Sequence, residues 1–112
     1  MSRDDAIVLD ILSAARLTIE FLGDLDKDTF LRDRKTQSAV LHQLLLVGEA
    51  VKRLSERYRN ASPDIPWRRV AGMRDVLIHQ YDVVDLEEVW KTARVEIPRL
   101  ISQLEPLALH KQ

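Results

Sequence analysis

An all-α fold is what this sequence predicts, and three observations predict it. Glycine and proline are sparse, three and four in 112 residues, so few positions force a helix to stop. The strong helix formers leucine, alanine, glutamate, arginine and lysine are abundant. Apolar residues recur at helical spacing over long windows, whereas no two-residue alternation persists, and Val83-Val84 alone is not a strand. With 46% hydrophobic and 31% charged residues, the chain reads as one globular domain over 1–112. The expected architecture is an antiparallel bundle of four main helices plus a short one.

The first helix is expected from about Asp4 to Leu22, with Ile7, Ile11, Ala14, Thr18 and Phe21 or Leu22 on one face. Gly23 stops it, and an acidic connector, Asp24-Leu25-Asp26, follows. Asp28 is expected to cap a short turn through Leu31, and the second long helix then covers Asp33 to Tyr58. Its apolar residues, Ala39, Val40, Leu41, Leu44 to Val47, Ala50 and Val51, spread well beyond one stripe, so it must be covered on more than one side. In so small a domain one cover is expected to be a second subunit, which predicts a homodimer.

Ser62-Pro63-Asp64-Ile65-Pro66 breaks this helix, because proline removes a donor and pushes the preceding residue out of helical geometry. Asp64 is expected to cap a third helix that has Pro66 in its first turn and carries Trp67, Val70, Met73, Leu77 and Ile78. Asp85-Leu86-Glu87-Glu88 fits a capping box and opens a fourth helix through Leu104, which Pro98 should kink.

Composition excludes several chemistries. Without cysteine there are no disulfides, zinc ribbons, thiol nucleophiles or iron–sulfur sites. The longest strictly apolar run, Leu44 to Val47, is far too short for a membrane span, and Met1-Ser2-Arg3-Asp4-Asp5 lacks the layout of a signal peptide. A soluble cytoplasmic protein is expected. The net charge of -1 argues against binding nucleic acid by overall charge. Charge is nonetheless uneven: residues 52–74 hold seven basic and two acidic side chains, residues 1–33 eight acidic and four basic. The basic run suits either a phosphate-bearing ligand or a solvated helix face.

Three histidines bound the catalytic options. His42 reads as a hydrogen-bonded or interface residue, and His110 as a solvated tail residue. His79 sits in a polar cluster, Arg74-Asp75-Val76-Leu77-Ile78-His79-Gln80-Tyr81-Asp82. No second histidine stands at metal-ligand spacing, no glycine-rich phosphate loop exists, and no carboxylate pair marks a hydrolase site. No metal or cofactor is expected.

Arg74-x4-His79-x-Tyr81 accompanies Val47-Gly48-Glu49-Ala50, Ile65-Pro66-Trp67, Gly72-Met73-Arg74-Asp75 and Ile78-His79-Gln80-Tyr81, then an aspartate-capped fourth helix with Trp90 and Pro98. In order and spacing this composite resembles the HepT-like branch of the HEPN-domain proteins over nearly the whole chain. The resemblance implies a HEPN-like homodimer in which Arg74 and His79 form a metal-independent ribonuclease site at the dimer interface, with a polar residue at Asp75. It further implies the toxin of a toxin–antitoxin pair, whose partner is an MntA-like nucleotidyltransferase that AMPylates Tyr81.

Elementary chemistry is compatible with that reading. RNA can be cleaved without a metal if the ribose 2'-hydroxyl loses its proton and the charge on the phosphorane is neutralised. A histidine titrates near neutral pH and can move the proton, and an arginine fork can bind two nonbridging oxygens at once. On a helix Asp75 would share a face with His79 and could orient its ring. Arg74 and His79, five apart, point about 140 degrees away from each other on a straight helix. They converge only if the helix ends between them or a dimer supplies one from each chain. The residues alone also allow a surface ion pair from Arg74 to Asp75 or Asp82, with His79 merely ending a helix. Two other functions remain open: a noncatalytic subunit that binds nucleotide or substrate for a nucleotidyltransferase, and a plain helical dimerisation module, which would not need Arg74, Asp75, His79 and Tyr81 together.

Overall fold

The computed structural model describes residues 2–109, so the tail position His110 lies outside the described residues. Helix α1 (Arg3–Leu22) opens on a capping box: Ser2 Oγ accepts from the Asp5 N–H, and Asp5 accepts from the Ser2 N–H. It ends at Gly23, whose φ of +56° is left-handed and costs a glycine little. Leu22 faces the core, whereas Phe21 remains 41% exposed.

The short helix α2 (Lys27–Phe30) is capped by Asp26, not by Asp28. Asp26 Oδ1 takes the Thr29 N–H at 2.8 Å, and Asp28 already lies within the turn. The turn delivers Phe30 into the core with no exposed surface.

Helix α3 (Arg34–Lys52) begins where expected, with Asp33 as its cap, but ends at Lys52 rather than Tyr58. The cause is a long-range carboxylate: Asp4 in α1 accepts from both the backbone N–H and the hydroxyl of Ser55, at 2.9 and 2.8 Å. So held, Ser55 caps a separate helix, α4 (Glu56–Asn60), through the Tyr58 N–H.

The expected third helix is two short ones, α5 (Trp67–Ala71) and α6 (Met73–Leu77), meeting at Gly72. Asp64 does not cap α5, because Pro66 holds the cap position with no side-chain hydrogen bond. The preceding loop is instead fastened by Trp67, whose indole N–H is shared between the carbonyls of Arg59 and Ser62 at 2.9 and 3.0 Å.

Helix α7 (Leu86–Lys91), a π turn (Thr92–Glu96) and α8 (Ile97–Leu109) form one long segment. Asp85 caps α7 through the Glu88 N–H, as expected, but Glu88 does not reach back, because the Asp85 N–H is taken by the Leu77 carbonyl at 2.8 Å. The disturbance expected at Pro98 falls just before it. Pro98 has no N–H to offer, and the widened turn, closed by the Ile97 N–H on the Thr92 carbonyl, absorbs the misfit.

The long elements pack antiparallel. The end of α3 meets the start of α1 through Arg53–Asp10 and Ser55–Asp4. Along α8, Arg16–Glu105 joins the middle of α1 to the C-terminal part, while Arg94 donates to the carbonyls of Gly23 and Leu25. Arg94 also lies 4.8 Å over the Trp90 ring, which packs against Phe30. The wide apolar girth of α3 is therefore covered within the same chain, by α1, α5, α6 and α7. Val40, Leu44, Val47 and Val51 are fully buried and Leu46 is 43% exposed, so α3 does not by itself require a second subunit. No described helix is long and apolar enough to cross a membrane.

Gly48 lets α3 approach α5 and α6 closely. A Cβ there would lie 3.0 Å from the Val70 carbonyl oxygen and 3.4 Å from Met73 Cβ. Gly48→Val should therefore lower stability by about 1–3 kcal/mol, the usual cost of overpacking, read as a lower urea midpoint. An unchanged midpoint would show that α5 and α6 can move away freely.

Candidate functional site

The site is built where α6 gives way to a loop. Helix α6 ends at Leu77, and Ile78 is extended (φ -123°, ψ 119°). Two backbone hydrogen bonds of 2.8 Å, His79 N–H to Val83 O and Asp85 N–H to Leu77 O, flank a single antiparallel bridge between Ile78 and Val84. They close a loop over 79–83 that contains a 3-10 turn, Gln80–Asp82. The helix thus ends between Arg74 and His79, and the opposition expected of one straight helix does not apply. Inside the loop, Tyr81 and Asp82 both adopt left-handed φ, 62° and 60°, which costs a non-glycine residue about 1–2 kcal/mol.

Arg74 and His79 each have an acidic neighbour. His79 Nε2 lies 3.0 Å from Asp85 Oδ2, while the other oxygen of Asp85 holds the Glu88 N–H at 3.1 Å. The hydrogen bond with His79 first, and that from Glu88 second, keep the Asp85 carboxyl below its ordinary value. Asp75 was the expected partner of the ring, through the four-residue spacing on a helix. Because α6 stops at Leu77, that spacing no longer stacks the two side chains, and the imidazole lies on Asp85 instead. Arg74 Nη2 lies 3.8 Å from Asp82 Oδ1, with both side chains largely exposed. Such a pair is worth little in water, typically under about 1 kcal/mol, so the guanidinium is easily drawn to a phosphate. Tyr81 is 95% exposed.

Asp85 was legible in the sequence only as a helix cap. Nothing in the spacing between His79 and Asp85 announces their contact, which depends on the loop closing. The basic run over 52–74 is less of a patch than its count suggests: Lys52 pairs with Glu49, Arg53 with Asp10, and Arg69 forks onto Glu96 at 2.6 and 2.8 Å. His42 is exposed on α3. Among the described residues, no three of His, Asp and Glu cluster so as to hold a metal ion. A groove of about 480 Å³ between Met73 and Leu100 is lined by Arg69, Lys91 and Arg99 among others. Arg74, His79 and Tyr81 do not line it, and all three side chains are exposed.

The chain matches the family model described as "Ribonuclease HepT-like" over residues 11–107. It is 43% identical over 98 residues to a Thermococcus cleftensis protein named "Probable ribonuclease HepT", covering 88% of this chain and 89% of that one. A Methanocaldococcus jannaschii protein with RNase in its name is 39% identical over 102 residues, 91% of this chain and 84% of the other. A Caldanaerobacter subterraneus protein, also with RNase in its name, is 35% identical over 97 residues, 87% of each. No solved structure matches the chain.

Asp26, Asp33, Asp85 and, through the Arg69 fork, Glu96 sit below their ordinary values. A folded pKa below the unfolded one contributes stability that is complete above the unfolded value, 3.8 for Asp and 4.5 for Glu, and lost as pH falls through the folded value. The melting temperature should hold steady between about pH 7 and pH 5 and fall below about pH 4. Glu96→Gln should melt lower than wild type near neutrality and converge on it in acid, measured by circular dichroism.

Proposed function

The chain belongs to the HepT-like ribonuclease family, and from that premise we propose that it is a metal-independent endoribonuclease, the toxin of a toxin–antitoxin pair, acting as a homodimer. The observation that carries the reading is the junction at Leu77, which leaves Arg74 and His79 exposed on either side of a helix end, His79 on a carboxylate and Arg74 in an ion pair that water already weakens. His79 takes the proton of the ribose 2'-hydroxyl. The 2'-oxygen then bonds to the adjacent phosphorus, and the bond from phosphorus to the 5'-oxygen breaks, that oxygen taking a proton from water. Arg74 neutralises the nonbridging oxygens as charge builds on them, a contribution of about 3 to 4 kcal/mol where single preorganised donors have been removed from other enzymes. The side chains of Arg74, His79 and Tyr81 are exposed, and a second copy facing them would enclose the phosphate. Apolar side chains left exposed, Leu9, Phe21, Leu46, Val83 and Val95, offer material for such contacts.

Arg74→Ala and His79→Ala should each reduce RNA cleavage by 100-fold or more, on the order expected for loss of a general base or an oxyanion donor. Both variants should keep wild-type helicity and sediment, like wild type, at about twice the 13.0 kDa chain mass. Cleavage by wild type should persist in EDTA. Loss with chelator and recovery with a divalent ion would contradict the mechanism, as would a monomer at micromolar concentration. A wild type that binds RNA or nucleotide without cleaving it would favour a binding subunit.

The toxin reading extends to Tyr81, the proposed AMP acceptor for an MntA-like nucleotidyltransferase antitoxin. Its near-complete exposure at the tip of the loop supports access by a partner's active site. An added AMP brings a bulky group and a negative phosphodiester beside Asp82, where it would compete for Arg74 and repel RNA. Co-expression with an MntA-like nucleotidyltransferase should raise the mass by one or more AMP units mapped to Tyr81, and Tyr81→Phe should abolish the shift. Unmodified Tyr81 in a neutralised complex, by peptide mass spectrometry, would leave simple binding as the means of inhibition.

A further inference from the structure

We propose that Asp85 is the positioning residue of His79: it holds the ring proton on Nε2 and so leaves Nδ1 as the nitrogen that exchanges the substrate proton. The inference deepens the ribonuclease reading and rests on it for its catalytic half. Its basis is that Asp85 is fixed at three points. Its backbone N–H is on the Leu77 carbonyl, its Oδ1 holds the Glu88 N–H, and only Oδ2 remains for the ring, 3.0 Å from Nε2. A carboxylate can only accept, so the nitrogen facing it must carry the proton, and in neutral imidazole the lone pair then sits on the other nitrogen. The His79 side chain is 55% exposed and Asp85 29%, so the ring is anchored from the protein side and open on the other. When Nδ1 takes the proton of a 2'-hydroxyl, the imidazolium that forms already has its counter-charge in place. The other nearby acid, Asp82, is on Arg74, which leaves Asp85 as the partner of the ring.

The two duties of Asp85 can be separated. Asparagine caps helices as well as aspartate does, so Asp85→Asn keeps the bond from Glu88 to Oδ1. The group then facing the ring is an amide NH2, a donor, and Nε2 has to accept. The neutral ring should therefore switch to the Nδ1–H form. Nitrogen-15 chemical shifts of His79 in the full-length protein read this directly. Wild type should show a protonated Nε2 and a bare Nδ1, and Asp85→Asn the reverse. Asp85→Ser, a cap too short to reach the ring, should give a mixture of both tautomers and keeps the test open if the asparagine variant misfolds. With an RNA substrate, kcat of Asp85→Asn should fall on the order of 100-fold or more at similar KM, since a wrong tautomer disables the base without touching phosphate binding.

The proposal is overturned if wild type carries the proton on Nδ1, if both variants keep the wild-type tautomer, or if the tautomer switches while kcat does not change. A wild type that cleaves no RNA would defeat the ribonuclease reading, and the nitrogen shifts would still decide whether Asp85 sets the tautomer.

Discussion

The bond from the Asp85 N–H to the Leu77 carbonyl is the interaction on which the rest of the site depends. It satisfies a carbonyl that would otherwise be left open at the end of α6 and brings the cap of α7 against that end. Were α6 to continue, Arg74 and His79 would face about 140 degrees apart and Tyr81 would sit on the face of Arg74. The closure has a cost, because Tyr81 and Asp82 both take left-handed backbone at about 1–2 kcal/mol each. Against it stand two backbone hydrogen bonds at a net of about 0.5–1.5 kcal/mol each and an aspartate cap worth about 1 kcal/mol. The two sides nearly cancel. A loop in such balance holds its shape through Asp85 and has little stability to spare.

Where that junction sits is decided further away. Gly48 lets α3 approach the backbone of Val70 and the side chain of Met73, and this fixes α5 and α6 against the bundle. Trp67, with its indole shared between two carbonyls, fixes where α5 begins. On the other side, Arg94 ties the start of the long C-terminal segment to the connector after α1 while lying over Trp90. These contacts lend physical sense to the residues that carried the family resemblance: Gly48, Trp67 and Trp90 are framework that holds the elements around Arg74 and His79.

The sequence disclosed most of this framework and least of the junction. Helix starts governed by neighbouring residues were readable, as at Asp33 and Asp85, because an N-cap acts over three residues. Helix ends governed by distant partners were not. Lys52 ends α3 because Asp4 captures Ser55 across 51 positions, and Leu77 ends α6 because Asp85 captures its carbonyl. Asp28 and Asp64 misled for a related reason. Each is a good capping residue at a plausible place, and in each case a neighbour, Asp26 or Pro66, holds the position that the backbone uses. Arg74, His79 and Tyr81 were legible through the motif. The carboxylate on His79 was assigned to Asp75 because the spacing argument assumed a helix that the fold interrupts.

The charges of the site follow from the same geometry. Arg74 and His79 each face one aspartate, but the two pairs differ in kind. Asp82 is almost fully exposed, sits on strained backbone and lies 3.8 Å from Arg74, a pair that water and salt weaken. Asp85 is held at three points and half-sheltered. On the proposed reading, a phosphate entering the site would displace the partner of Arg74 and leave the partner of His79 alone, freeing the proposed charge-binding group while the proposed base stays oriented.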